Sequence, residues 1–167
     1  MMRFRKVVVN CAMATDLFDK DLRSRRDERW QKAFKTEGHG YCEDDPRDLK
    51  ATLAIECAMQ LSDIVHTTQL FANYCRWNER LFGEMYKAFR NGRSQNDPSL
   101  EWFRGELWFF DTIVIPLARR VEGSGLFGVS GKGCLRHAVA NKKNWSHEGH
   151  KLVAQFVKKA GNAFEDE

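Results

Sequence analysis

The chain lacks long hydrophobic runs, paired cysteines and a signal-peptide core. Uninterrupted apolar runs such as Leu107–Phe110 are far shorter than the ~20 residues that a membrane helix requires, so we expect no membrane span. Asn10 and Asp16 interrupt the apolar stretch near the N-terminus, which argues against a secretory signal. The five cysteines are odd in number and include no Cys-x-x-Cys pair, which argues against zinc and redox motifs. We therefore expect reduced thiols and a cytoplasmic location, either alone or as the cytoplasmic part of a larger membrane protein.

Neither sign of charge dominates the sequence. Its 27 Lys and Arg residues against 23 Asp and Glu residues leave a net charge of +4. Basic and acidic side chains alternate within the most charged stretch, Arg23–Arg29, which is typical of a solvated helix face. A nucleic-acid interface is the weaker interpretation of this stretch, and it predicts binding that falls steeply with salt. We expect no nucleic-acid partner.

The composition and the spacing of apolar residues predict the fold class. A chain of 167 residues suits one domain, and a hydrophobic share of 43% supplies a core, which excludes a wholly disordered chain. Apolar residues recur at three- and four-residue spacing, and no segment alternates convincingly as a strand. The sequence therefore predicts an all-α multi-helix bundle over residues 1–161, followed by a C-terminal tail over residues 162–167.

The individual helices follow from the same spacing and from residues that break helices. The predicted elements are a helix from Phe4 to about Leu22, a second helix carrying Trp30 and Phe34, a loop at Gly38–Pro46, a helix from Pro46 to about Leu61, a long helix with Tyr74, Trp77, Leu81, Met85 and Phe89 on one face, a helix over Leu100–Val121, a loop from Gly123 to Gly133, and two final helices near Cys134–Trp145 and His150–Ala160. Asn91 and Gly92 should end the long helix. Asp97 should cap the next helix, and Pro116 should kink it.

Common catalytic motifs do not occur in the sequence. Gly131-Lys132 lacks the first glycine and the Ser or Thr of a phosphate-binding loop, and no serine or cysteine nucleophile motif is present. His137, His147 and His150 have no carboxylate or cysteine at metal-ligand spacing, so they are interpreted as surface histidines. A functional hypothesis therefore depends on a longer pattern.

Three ordered blocks carry that pattern, and they are Ser62–Thr67 (SDIVHT), Trp77–Tyr86 (WNERLFGEMY) and Glu106–Leu117 (ELWFFDTIVIPL). They resemble the catalytic domain of class I 3′,5′-cyclic-nucleotide phosphodiesterases. In that family an Asp opens the first block, a Trp follows 14 residues later, as Trp77 follows Asp63, and the third block reads Gln-x-Gly-Phe-[Ile/Phe]-Asp-x-Ile-Val-x-Pro. Met13–Asp16 resembles the family's Leu-Ala-Thr-Asp segment, and the closing region resembles the variant found in protist members.

The resemblance implies a metal-dependent phosphodiester hydrolase. In the complete domain Zn²⁺ and Mg²⁺ (or Mn²⁺) would hold a hydroxide for attack on the cyclic phosphate. Asp63 matches a zinc ligand, and a simple helix cap is the alternative explanation for it. Thr15 and Asp16 match positions that contact metal-bound water and line the site. Ordinary polarity at the end of the first helix is the alternative for these two residues.

The resemblance also implies a pocket for a cyclic nucleotide. Phe109 matches the aromatic residue that clamps the purine, and Glu106, three residues earlier, matches the glutamine that reads the edge of the base. The remaining matched pocket positions are His66, Tyr74, Leu81 and Met85. For Leu81 and Met85, burial in the helical core is an equally good explanation.

The glutamate at position 106 is a departure from the family's glutamine. An ionised carboxylate only accepts hydrogen bonds, whereas an amide both donates and accepts. Guanine presents two adjacent donors and therefore suits a carboxylate better than adenine does. We expect a complete site to lean toward cyclic GMP over cyclic AMP.

A larger departure concerns the metal ligands. The family's His-Asn-x-x-His-Ala and His-Asp-x-x-His-Pro motifs, which supply further ligands and the general acid, do not occur in this sequence. We therefore expect the chain to correspond to the C-terminal half of such a domain, to bind the metals weakly and to be inactive alone. Bare helix faces then predict aggregation or a homo-oligomer. The alternative function is a catalytically inactive helical module for binding or dimerisation.

Overall fold

Helices form nearly all of the computed structural model, which describes residues 2–34 and 46–165. The elements are α1 (Met2–Ala14), α2 (Lys20–Phe34), α3 (Pro46–Asp63), a 3-10 turn (Val65–Thr68), α4 (Phe71–Arg90), α5 (Pro98–Phe109), a π-helical segment (Phe110–Val114), α6 (Ile115–Gly123) and α7 (Gly128–Glu165). The described residues contain no strand, and the predicted all-α multi-helix bundle is confirmed. Within the same residues, no helix has the length and apolar character needed to cross a membrane.

The core forms where α7 packs against α4, α5 and α6. Trp145 of α7 is fully buried, and its ring meets the ring of Tyr74 edge-on with the centroids 5.7 Å apart. Phe82 of α4 and Phe110 after α5 are also fully buried. α1 and α2 pack on α3, and the 3-10 turn that follows α3 packs on α7. The end of α3 therefore lies beside the main core.

The buried face of α4 differs from the predicted one. The structure buries Tyr74, Asn78 and Phe82, which lie four residues apart. Trp77, Leu81 and Met85, predicted to share the face of Tyr74, are 52%, 44% and 44% exposed. Both sets of residues have helical spacing, so the sequence pattern allows either set to face the core. The packing of α5 and α7 on α4 selects the Tyr74 face.

The helix predicted over Leu100–Val121 is continuous but changes its winding. Asp97 caps α5 as predicted, with its side chain accepting a hydrogen bond from the Ser99 N–H over 2.8 Å. The π-helical segment Phe110–Val114 precedes Pro116. Since proline has no N–H and its ring crowds the preceding turn, the change of winding accommodates it within a helix that continues into α6.

One predicted boundary is wrong, and another lies largely outside the described residues. The first helix ends at Ala14 rather than near Leu22, because the Asp16 side chain accepts hydrogen bonds from the N–H groups of Phe18 and Asp19 and starts a turn. The predicted Gly38–Pro46 loop lies outside the described residues as far as residue 45, and α3 begins at Pro46.

The predicted pair of C-terminal helices is a single helix, α7, and the predicted glycine loop is largely helical. Gly128 begins α7, which runs without a break through Gly131 and Gly133. A Cβ atom at Gly131 would lie 3.3 Å from the Glu122 Cα atom, so a residue without a side chain lets α7 approach α6 closely. Gly131 therefore serves helix packing.

Gly149 of α7 should not tolerate even a methyl group. A Cβ atom there would lie 2.8 Å from the Phe103 ring and 2.9 Å from the Trp145 ring. We expect Gly149→Ala to lower the free energy of unfolding by ~1–3 kcal/mol through overpacking. Gly133→Ala is the matched control on the same helix, because nothing lies within 4 Å of its Cβ position and alanine favours helix. Urea unfolding of both variants measures the difference, and an equal effect of the two substitutions would contradict this packing.

Candidate functional site

A chain of hydrogen bonds joins α4 to α5 at the centre of the candidate site. The Tyr74 hydroxyl donates to Glu106 Oε2 over 2.6 Å. Asn78 Nδ2 lies 3.5 Å from that hydroxyl, and Trp102 Nε1 donates to Asn78 Oδ1 over 2.9 Å. An indole N–H can only donate, so it turns the Asn78 amide with its oxygen toward Trp102 and its NH₂ group toward Tyr74. The single phenolic proton is thereby directed to Glu106.

Burial dominates the electrostatics of the Tyr74–Glu106 pair. Desolvation raises the pKa of Glu106, and the hydrogen bonds from Tyr74 and Asn78 oppose this shift. Burial and, to a lesser degree, the negative charge of Glu106 raise the pKa of Tyr74. Glu106 keeps part of its surface exposed. Burial favours the neutral form of both side chains.

An aromatic cluster lies at the end of α5. Phe109 lies three residues after Glu106 and is partly buried. Its ring stacks on the ring of Phe18, with the centroids 6.4 Å apart and the planes 21° apart. Phe18 is 62% exposed and also stacks on Trp108, at 6.2 Å. Glu106 and Phe109 thus both lie in the last turn of α5.

Leu81 and Met85 lie on an exposed face of α4. They follow Trp77 at four-residue spacing, in the exposed series beside the buried face that carries Tyr74 and Asn78. Each is 44% exposed, so core burial, the alternative explanation for these two residues, is wrong. Next to them Trp77 is also exposed, and the Arg80 guanidinium lies 5.3 Å from its ring.

Asp63 ends α3 with an exposed side chain. Within the described part of the chain its carboxylate accepts no backbone hydrogen bond, so the helix-cap explanation gains no support from the geometry. His66 follows in the 3-10 turn, and partial burial lowers its pKa. The two residues are close in sequence, but no contact joins either of them to Glu106 in the described residues.

Helix α7 holds the turn that follows Asp63. Asn141 is buried, and its Nδ2 atom donates to the carbonyl oxygens of Thr67 and Gln69 over 2.9 and 2.8 Å. His137 Nδ1 lies 3.1 Å from the carbonyl oxygen of Thr68. These contacts satisfy backbone groups that a short 3-10 turn leaves unpaired. They fix the turn, and with it the start of the segment that leads to Tyr74.

Thr15 and Asp16 lie in the turn after α1 and are exposed. The Thr15 hydroxyl donates to the Ala12 carbonyl oxygen over 2.8 Å, and the Asp16 carboxylate caps the turn. The Arg26 guanidinium anchors the backbone here by donating to the carbonyl oxygens of Ala14 and Asp16 over 2.9 and 2.8 Å. The side chains of Thr15 and Asp16 thus have a local structural role, which agrees with ordinary polarity at the end of the first helix.

The described residues do not by themselves fit a pair of metal ions. Zinc and magnesium need several ligands that converge on one point. Residues 2–34 and 46–165 contain no group of three or more His, Cys, Asp or Glu side chains placed to hold a metal ion. Asp63 would contribute one carboxylate to a site that other residues must complete.

The structure adds three residues to the site that sequence reasoning missed, and they are Asn78, Trp102 and Phe18. Asn78 had a visible signal, since it is a polar residue on an otherwise apolar helix face, four residues after Tyr74. Trp102 and Phe18 had none, because their partners lie 24 and about 90 residues away in sequence. Such pairings depend on the tertiary fold.

Comparison with known proteins does not assign the chain to a family. No protein-family model, no curated protein and no solved structure matches it. Function is therefore argued from the site geometry and from the sequence pattern.

Proposed function

We propose that the chain belongs to a 3′,5′-cyclic-nucleotide phosphodiesterase, which hydrolyses cyclic AMP or cyclic GMP to the 5′-nucleotide in signal transduction. The observation that carries this proposal is the hydrogen bond between Tyr74 and Glu106. The two residues are 32 positions apart, and the family resemblance had assigned both to one purine pocket. A chance match of short motifs gives no reason for them to meet.

The surroundings of this pair suit a purine. A base needs a flat apolar surface for its ring and polar groups for its edge. In this proposal Phe109 provides the ring surface, Glu106 provides the polar group, and the exposed Leu81 and Met85 side chains provide further apolar contacts. We propose that these side chains bind the nucleotide. We also propose that Zn²⁺ and Mg²⁺ are bound mainly by residues outside the described part of the chain, with Asp63 as one ligand.

The decisive test begins with the transcript upstream of Met1. In-frame His-Asn-x-x-His-Ala and His-Asp-x-x-His-Pro motifs, together with hydrolysis of cyclic AMP or cyclic GMP by the encoded protein in Zn²⁺ and Mg²⁺, would support the proposal. A stop codon directly before Met1, together with no binding of either nucleotide to the 167-residue chain, would contradict it.

Phe109→Ala should weaken binding of cyclic GMP to the chain. Stacking of a base on an aromatic ring contributes ~1–3 kcal/mol, so we expect the dissociation constant to rise about 5- to 150-fold. Isothermal titration calorimetry measures this change. Phe4→Ala, at a 77% exposed position of α1, is the control and should leave the affinity unchanged. Equal affinities of the two variants would remove Phe109 from the site.

One observation favours the second candidate, a helical module for binding or dimerisation without catalysis. Trp77, Leu81, Met85 and Trp108 expose apolar surface that could join two copies of the chain. Sedimentation velocity separates the candidates. A dimer that Met85→Lys dissociates, without nucleotide binding by the native chain, would favour the module, whereas nucleotide binding by a monomer would favour the phosphodiesterase.

A further inference from the structure

A cavity of about 90 Å³ lies between α2, the end of α3 and the π-helical segment with α6. Three arginines line it, namely Arg23 and Arg26 of α2 and Arg120 of α6. Among the described residues that line the cavity, Asp27 supplies a single carboxylate. Pro116 also lines the cavity and is exposed, so solvent reaches this space. The cavity is therefore open and carries a net positive charge.

Arg26 is a buried charge without a counterion. It is only 8% exposed, although the alternating charges of its stretch are typical of a solvated helix face. Its guanidinium donates to the carbonyl oxygens of Ala14 and Asp16, and no carboxylate of the described residues forms an ion pair with it. An arginine keeps its proton in a protein, and a buried charge is costly without a partner. An anion beside Arg26 would offset this cost.

The charge of Arg120 adds to that of Arg26. The Arg120 guanidinium pairs with Asp27 and lies 5.3 Å from the centre of the Trp30 ring, and these contacts hold it at the cavity. Burial lowers the pKa of Arg26, and the charge of Arg120 lowers it further. Nearby carboxylates oppose these effects without reversing them, and they belong to Glu56, Asp16 and Asp27. The pair with Asp27 thus leaves positive charge in the cavity uncompensated.

The rest of the lining suits an oxyanion. Leu17, Ile113 and Leu117 are buried apolar side chains, and walls of low dielectric strengthen the field of the arginines inside the cavity. Thr112 adds a hydroxyl group that can donate a hydrogen bond. Guanidinium groups present paired donors that match the oxygens of a phosphate group. Three arginines against one carboxylate leave two positive charges, which is the charge that a phosphate dianion balances.

We propose that this cavity binds a phosphate group, held by Arg23, Arg26 and Arg120 with the Thr112 hydroxyl as a further donor. The ligand is either inorganic phosphate or the phosphate end of a small organic molecule. None of the residues assigned to the purine or to the metal ions lines the cavity, so phosphate binding here does not depend on the proposed function.

Isothermal titration calorimetry of the 167-residue chain with inorganic phosphate tests this site. EDTA in the buffer excludes binding through a metal ion, and sodium chloride keeps the ionic strength constant. We expect saturable binding below about 10 mM phosphate. Glycerol 3-phosphate distinguishes the two sources of the phosphate group. Tighter binding of this ester would indicate a larger organic ligand, and equal or weaker binding would indicate inorganic phosphate, so either result after saturable phosphate binding supports the site.

Two substitutions in the lining should change the affinity in opposite directions. Arg23→Gln removes a cation and should raise the dissociation constant at least about tenfold. Asp27→Asn removes the carboxylate that repels the ligand and competes for Arg120, so it should lower the dissociation constant about 3- to 10-fold. Both side chains are partly exposed, so neither substitution leaves a hole in the core. Arg119→Gln is the control, because Arg119 is exposed on α6 and does not line the cavity, and it should change the affinity less than about twofold.

A thermal melt of the native chain needs no variant. Phosphate should raise the melting temperature more than sodium chloride of equal ionic strength does, because a ligand that binds only the folded state stabilises it. Arg26 is left unchanged in every experiment, because it also anchors the turn after α1.

Three outcomes would overturn this site. They are the absence of saturable phosphate binding by the native chain, an equal effect of Arg23→Gln and Arg119→Gln, and a weaker affinity in Asp27→Asn. The last result would mean that the pair of Asp27 with Arg120 only holds α2 to α6. None of these measurements involves a cyclic nucleotide, so the proposed function would stand in each case.

Discussion

Trp145→Ala should lower the free energy of unfolding by ~3–5 kcal/mol, the range for deleting a large aromatic side chain from a core. The Trp145 side chain is fully buried at the point where α4, α5 and α7 meet. Its ring contacts those of Tyr74, Phe103 and Phe156, with centroids 5.7, 6.4 and 6.5 Å away. Its Nε1 atom also donates to the Phe103 carbonyl oxygen over 3.2 Å, so the substitution removes packing and a hydrogen bond together.

Urea unfolding followed by circular dichroism measures this loss. Trp77→Ala is the matched control, because Trp77 is the same residue type but 52% exposed on α4. We expect the control to change the free energy of unfolding by ~0.5 kcal/mol or less. A similar cost for both tryptophans would mean that α7 does not form the centre of the core.

The second large effect is expected for Asn141→Asp. This substitution keeps the shape of the side chain but replaces the NH₂ group that donates to the carbonyl oxygens of Thr67 and Gln69. Two carbonyl groups then lose their donor, at ~1–3 kcal/mol each, and a charge is placed in a site that is only 2% exposed. We expect a loss of ~2–6 kcal/mol in the free energy of unfolding.

The loss caused by Asn141→Asp should depend on pH in a defined direction. Burial and the facing carbonyl oxygens raise the pKa of the introduced carboxyl group in the folded state. The folded state then binds the proton more tightly than the unfolded state, so the defect grows as the pH rises above the ordinary Asp range and shrinks as the pH falls. Thermal melts across that range measure the trend. Asn144→Asp, at a more exposed position of α7, is the control, and an equal and pH-independent loss in both variants would contradict the role of Asn141.

The helices were largely predictable, and their buried faces were not. Asp97 and Pro98 mark the start of α5 because capping depends on neighbouring residues in the sequence. In α4 two sets of residues at four-residue spacing, one beginning at Tyr74 and one at Trp77, could each have faced the core. The prediction placed both sets on one buried face. Burial of one series and exposure of the other depends on α5 and α7, which follow later in the chain.

In the candidate site, too, some features could be predicted from the sequence and others could not. The resemblance named Tyr74 and Glu106, and the structure brings their side chains into contact. Asn78 and Trp102, which direct the proton of Tyr74 toward Glu106, could not be paired from the sequence, because 24 residues separate them and no local pattern joins them. Asn141 is likewise separated from Thr67 by 74 residues.

The sequence by itself determined that this protein is helical and where most of its helices begin, because periodicity, caps and helix-breaking residues act between near neighbours. Its resemblance to a known pattern also grouped Tyr74 with Glu106, and their side chains meet in the structure. Only the tertiary structure decided that α7 is one continuous helix, that α4 buries Tyr74 and exposes Leu81, and that Glu106 has an uncharged donor network as its neighbour. These features depend on packing between helices that are distant in the chain, and the burial that this packing creates raises the pKa of Glu106.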